Sequence, residues 1–188
     1  MGVKHFYIWF QKNYIDCIDK HTDSYKNNNI NNLCLDLNGI IHTCAQKIYE
    51  YGNHKQVRFL KKKTKNTLNK QIKLFQLICQ EIDNLRKLIL PQNRIIICTD
   101  GVAGVAKLAQ QRQRRFKSAK EAEESGVDKE DFNQNCITAG TKFMDYLSKY
   151  IDWYIRKRIS ESSEWQNVQV IFSNEKAPGE GEHKIINY

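Results

Sequence analysis

The chain has 188 residues, enough for one domain with a substantial hydrophobic core. Its 30 Lys and Arg against 21 Asp and Glu leave a net charge of +9, which points to a polyanionic partner, either nucleic acid or an anionic membrane surface. No run of about 18 apolar residues and no signal-peptide pattern occurs, so a membrane-spanning protein is not expected and an intracellular one is, cytoplasmic ahead of nuclear.

Residues 2–19 carry Phe6, Trp9, Phe10, Tyr14, Ile15 and Ile18 at helical spacing, which predicts an amphipathic helix packed on the body. Phe6 stands where a myristoylation signal would need Ser or Thr, so the opening Met1-Gly2 carries no lipid. Residues 20–32 are polar and Asn-rich, a loop. Leu33-Cys34-Leu35 then forms an apolar run that ends near Asp36 and enters a helix reaching about Tyr51. Residues 52–70 form a basic connection, expected to be a mobile loop. A helix fits 71–90, with Ile72, Phe75, Ile78, Ile82, Leu85 and Ile89 as its inner stripe, and Pro91 ends it.

Ile95 to Cys98 has the length and β-branching of a buried parallel strand, followed by Thr99-Asp100-Gly101. The next segment is a helix. On it Lys107, Gln111, Arg114 and Arg115 fall at i, i+4, i+7 and i+8, one face. That spacing usually carries Leu and Ile toward a core; here it carries three cations and an amide, the makings of an anion cradle. The plain alternative is a solvated, Arg-rich surface helix. Residues 125–140 read as a loop with helical turns. Thr141 to Ile159 is a helix with Phe143, Leu147, Tyr150, Ile151, Tyr154 and Ile155 inward. Val168 to Phe172 is a third strand, and its glycine-rich exit bears Glu180 and Glu182 ahead of a helix beginning near Lys184. The six cysteines form no CxxC pair; Cys34 and Cys98, inside apolar runs, are expected to pack as small hydrophobes, and zinc is not expected.

Alternating strands and helices with long crossovers predict an α/β fold with a mostly parallel sheet. In such a sheet the strand exits share one edge, so Asp36, Asp100, Glu180 and Glu182 can converge although far apart in sequence. Clustered carboxylates repel unless a cation lies among them. Hard oxygen ligands suit Mg²⁺ or Mn²⁺, and two such ions roughly 4 Å apart form the usual clamp for phosphodiester cleavage. Taken singly, each acid is better read as a helix cap or a salt-bridge partner; four on one edge beside a basic helix face favour metal.

The residues also carry a resemblance. The motifs are Met1-Gly2-Val3 with Phe6 and Trp9, LDLNGIIH (35–42), DGVAGVAKLAQQRQRRFKSAKEAEE (100–124), DFNQNCITAGTKFM (131–144) and WQNVQVIFSNEKAPGEGEHKI (165–185). Together they resemble the N-terminal conserved region of the Xrn family of 5′→3′ exoribonucleases, whose core is related to PIN-like and flap-nuclease folds. The resemblance implies that Asp36, Asp100, Glu180 and Glu182 are catalytic and hold Mg²⁺. It implies that Lys107, Gln111, Arg114 and Arg115 accept a 5′-monophosphate, and that His42 stacks on the terminal base. Gly104 and Val105 depart from it, since the family carries Pro and a basic residue there. Family members supply further catalytic aspartates downstream of the point where this chain stops, so residues 1–188 read as one domain, the N-terminal part of a catalytic domain, truncated. The expectation is a metal-dependent exoribonuclease that degrades 5′-monophosphorylated RNA to mononucleotides. The alternatives are an inactive RNA-binding or regulatory fragment and a structure-specific nuclease acting on DNA flaps.

Overall fold

A computed structural model describes residues 5–18, 29–51, 67–124, 132 and 134–188. The Met1-Gly2-Val3 motif, residues 20–28 and 52–66 of the expected loops, and residues 125–131 and 133 lie outside the described residues; residues 67–70, expected in the basic loop, are instead the first turn of a helix. Among those described the order is α1 (Phe6–Asn13), a 3-10 turn (Ile15–Cys17), β1 (Asn32–Asp36), α2 (Leu37–Tyr49), α3 (Thr67–Ile89) and β2 (Arg94–Cys98). Then come α4 (Val105–Glu124), a second 3-10 turn (Gln134–Cys136), α5 (Lys142–Glu161), α6 (Ser163–Gln166), β3 (Gln169–Ser173) and α7 (Gly181–Ile186). No described helix is long and apolar enough to cross a membrane.

The three strands form a parallel sheet in the order β1-β2-β3. The most apolar strand, β2, is central and buried from Ile95 to Cys98, which is where two covered faces demand unbroken hydrophobicity. Side chains alternate across the sheet. Leu33, Leu35, Ile95 and Ile97 point to one face and join the main core with Ile41 and Cys44 of α2, Leu74, Ile78 and Ile82 of α3, and Leu147 and Ile151 of α5. Truncating a residue such as Ile97 to Ala in so dense a core costs about 2–5 kcal/mol. Cys34 and Asp36 share the opposite face, against which α7 packs at β1 and β2. That parity decides where the acid goes.

Three expectations change. Cys98 is buried as expected, but Cys34 is exposed, because the edge strand β1 turns it away from the core. Helix α1 forms but buries no residue; its rings pack on one another, Phe10 stacking on Tyr14 at 5.3 Å. In α3, Ile72 is 41% exposed, while Leu74, Cys79, Asp83 and Arg86 are buried. The inner face admits charge because each buried ion has a partner, Arg158 for Asp83 and Glu164 for Arg86. Helix α3 ends at Leu90, left-handed at φ 51° before Pro91. In α5 the inward set holds, with Tyr150 half-buried and Thr141 capping the helix through a bond accepted from the Met144 N–H.

Candidate active site

The C-terminal ends of the strands bring the acids together. Asp36 closes β1 and caps α2, its carboxylate accepting from the Asn38 N–H at 3.3 Å. Asn38 reaches on to β2, where its Oδ1 accepts from the Asp100 N–H at 3.2 Å. Asp100 in turn accepts from the Gly181 N–H at 2.8 Å, which joins the exits of β2 and β3. The same two exits are zipped by reciprocal backbone bonds, Gly101 N–H to Gly179 O and Gly179 N–H to Val102 O, both 2.9 Å. Gly179 makes that turn at φ 103°, a conformation L side chains rarely adopt.

Two glycines are required by proximity. A Cβ on Gly101 would stand 1.8 Å from the Ala177 carbonyl oxygen, and one on Gly181 would stand 2.6 Å from Asp36 Oδ1. Beneath them Lys184 is buried and donates to the Thr99 carbonyl at 3.0 Å and the Asn174 carbonyl at 2.7 Å. Its ammonium therefore ties the β2 and β3 exits from below. Burial pushes its pKa down, opposed by nearby Cys98, Asp100 and Glu175.

Glu180, Glu182 and His183 offer ligand atoms that all lie within 4.8 Å of one another. Asp36 and Asp100 stand outside that triplet but within electrostatic reach. The Asp36 carboxyl is pushed above its ordinary range first by burial, then by Asp100, Glu182 and Glu180, against the lowering effect of the Asn38 N–H. Repulsion of this kind is relieved by a cation. Lys107 already lies beside the cluster, its Nζ 3.1 Å from Glu180 Oε1. The carboxylate oxygens suit a hard divalent ion and the adjoining imidazole a borderline one, so the residues present suit a metal.

Beside the acids opens a cavity of about 480 Å³. Its walls include Asn38, His42, Asp100, Gln111, Arg114 and Arg115. Arg115 donates to Gln111 Oε1 at 3.1 Å, which holds the two side chains together. Lys107, grouped with them by helical spacing, is not part of the cavity wall and turns to Glu180 instead. His42 is partly buried, and its pKa is lowered first by that burial and then by Arg114, with Asp100 opposing. Both effects bias the imidazole beside the arginine toward its neutral form. Sequence reasoning missed Asn38, Gly181, His183 and Lys184; only the position of His183 next to Glu182 offered a hint.

Comparison with known proteins gives these residues a context. A family model described as XRN 5'-3' exonuclease N-terminus matches residues 1–188. The chain is similar to 5'-3' exoribonuclease 1 of Schizosaccharomyces pombe, 34% identical over 197 residues that cover all of this chain and 14% of that protein. It is 36% identical over 198 residues to human 5'-3' exoribonuclease 1, again all of this chain and 11% of that one. With 5'-3' exoribonuclease 2 of Gallus gallus it shares 33% over 226 residues, all of this chain and 22% of the relative. The chain thus spans about a tenth to a fifth of the length of these curated relatives. With a parallel sheet gathering acids at one edge and a match that runs from the first residue to the last, the chain belongs to the XRN 5'-3' exonuclease N-terminus family.

Proposed function

We propose that residues 1–188 form one domain, the N-terminal part of the catalytic region of a metal-dependent exoribonuclease that removes mononucleotides from the 5′ end of 5′-monophosphorylated RNA. The observation that carries this reading is Asp100, which lines the cationic cavity and also bonds to Gly181 at the acidic cluster. A phosphate held in the cavity would therefore lie next to the acids. Gln111, Arg114 and Arg115 bind the terminal phosphate and set the register of the chain, as bidentate arginine contacts do. His42, its pKa lowered by burial and Arg114, presents a flat ring to the terminal base. Lys107 is one turn along the same helix from Gln111 and links the phosphate site to Glu180.

Asp36, Asp100, Glu180 and Glu182 would hold the ions, Mg²⁺ or Mn²⁺ and two in number, with His183 beside them. Divalent ions bound there supply Lewis-acid polarisation of the scissile phosphate and an activated water. The chain's own contribution is the fixed spacing, kept by Asn38 between two acids and by Lys184 beneath two strand exits.

The test is Arg114→Ala on paired RNAs. On 5′-monophosphate RNA, binding and decay should fall about ten- to hundredfold, the worth of one charge-assisted contact. On 5′-hydroxyl RNA the contact is already missing, so the loss should be much smaller. Equal losses on both ends would make α4 a general RNA-binding surface and refute the assignment.

A further inference from the structure

The outer face of α5 carries a second pattern that the acidic edge does not use. Lys142, Tyr146, Lys149, Trp153 and Lys157 recur at intervals of four, three, four and four residues, so they lie in one row along the helix. All are exposed, Tyr146 by 54% and Trp153 by 52%. Each ring is paired with a cation: Lys149 lies 6.0 Å from the Tyr146 centroid and Lys157 lies 5.3 Å from that of Trp153. Alternation of flat rings and ammonium groups is the pattern that single-stranded nucleic acid requires, bases stacking on the rings while cations track phosphates.

The row does not end in open solvent. At its Lys142 end is a hollow of about 700 Å³, walled by Lys142, Tyr146, Lys149 and Lys176 together with Asp145 and Glu175. Val102 lines both this hollow and the cavity beside Asp100, so the two are neighbours. The acids on this side are already engaged. Asp145 is bonded to Lys149 at 2.7 Å and Lys176 at 3.1 Å, Lys157 lies 3.9 Å from Glu161, Glu175 accepts from the Ser148 hydroxyl, and Asp152 is held by Arg156 at 2.8 Å; the lysine pairs are solvent-exposed and weak, so a phosphate can compete for the same ammonium groups. From Lys142 to Lys157 the helix rises about 22 Å, enough for a site on the order of four nucleotides.

We propose that this row, with Lys176, is a second binding site for single-stranded RNA, which holds the strand beyond the catalytic edge. It rests on the reading of the protein as an RNA-degrading enzyme and names where the rest of the substrate lies. Charge complementarity and the paired rings favour RNA over a protein partner.

The test uses the 188-residue chain in EDTA and two labelled probes, a 12-nucleotide 5′-hydroxyl oligouridylate and the 5′-phosphorylated dinucleotide pUpU. Trp153→Ala should weaken the 12-mer about tenfold, the worth of one base-stacking contact, and leave pUpU unchanged. Trp153→Phe should restore most of the loss. Lys149→Ala should make the salt dependence of 12-mer binding shallower by about 0.7 in log–log slope, the value for one phosphate on a single strand. Arg114→Ala should do the reverse, weakening pUpU and sparing the 12-mer, so failure of the phosphate cavity and failure of the row are told apart. Circular dichroism checks that the helix survives, and both aromatic positions are exposed enough to tolerate truncation. The inference is overturned if Trp153→Ala and Tyr146→Ala both leave 12-mer affinity unchanged, or if Trp153→Phe binds no better than Trp153→Ala.

Discussion

Gly181→Ala separates the architecture of the acidic cluster from the stability of the fold. A methyl group there would stand 2.6 Å from Asp36 Oδ1 and 2.9 Å from its Cγ, whereas ordinary contacts begin at about 3.4 Å. The carboxylate must therefore retreat by roughly 0.8 Å. The neighbour that yields is the end of a side chain, not backbone, so the strain is relieved by rotating Asp36. Helix α7 begins at Gly181, and Ala loses less chain entropy than Gly on folding by about 0.4–1 kcal/mol, which offsets the crowding. Net stability should change by no more than about 1 kcal/mol. The site should not be so tolerant: a displacement near 1 Å is worth about a hundredfold where groups must be aligned, so metal affinity and RNA cleavage should fall steeply. Calorimetric titration with Mn²⁺ measures the first and thermal melting measures the stability. Asp36→Asn is the reference, since it removes the charge while keeping an oxygen to cap α2. Gly181→Ala with wild-type Mn²⁺ affinity would refute the idea that Asp36 is positioned by that close approach, and an unchanged affinity in Asp36→Asn would remove Asp36 from the cluster altogether.

Three further outcomes follow from the same geometry. Gly101→Ala meets the Ala177 backbone at 1.8 Å, which cannot rotate away; chemical denaturation should show a loss of about 1–3 kcal/mol, and a neutral result would contradict the packing of the two strand exits. Lys184→Ala leaves the Thr99 and Asn174 carbonyls without their donor, and should lower stability by roughly 2–4 kcal/mol in the same assay. His42 has its pKa lowered below 6.5 by burial and Arg114, so the unfolded chain takes up a proton before the folded one does. Its effect on stability is absent above pH 6.5 and becomes destabilising as pH falls from 6.5 to the folded pKa. NMR titration of the imidazole should find it below 6.5, and Arg114→Ala should move it upward; no movement would show that the arginine does not face the ring.

The amino-acid sequence by itself determined the three strands, the order of helices between them and the edge to which the acids belong. Those features are local or topological. β-Branched runs such as Ile95–Ile97 specify strands, 3.6-residue spacing specifies α5, and a parallel sheet carries every strand exit to one side. It also determined the family, because the motifs that identify it are spread over the whole chain. Tertiary structure alone decided how the edge is assembled. Gly181 backs on Asp36 and bonds to Asp100, contacts between residues 145 and 81 positions apart that no spacing rule encodes. Helical periodicity put Lys107 on a face with Gln111, Arg114 and Arg115, yet the first turn of α4 lies against the β3 exit, so Lys107 pairs with Glu180 and the other three line the cavity. Asp83 and Arg86 occupy the inner face of α3 because partners from α5 and α6 are waiting there, whereas Ile72, far more hydrophobic than either, is left outside. Side-chain chemistry is written residue by residue, but burial and pairing depend on which distant segment packs alongside, and that is settled only when the chain folds.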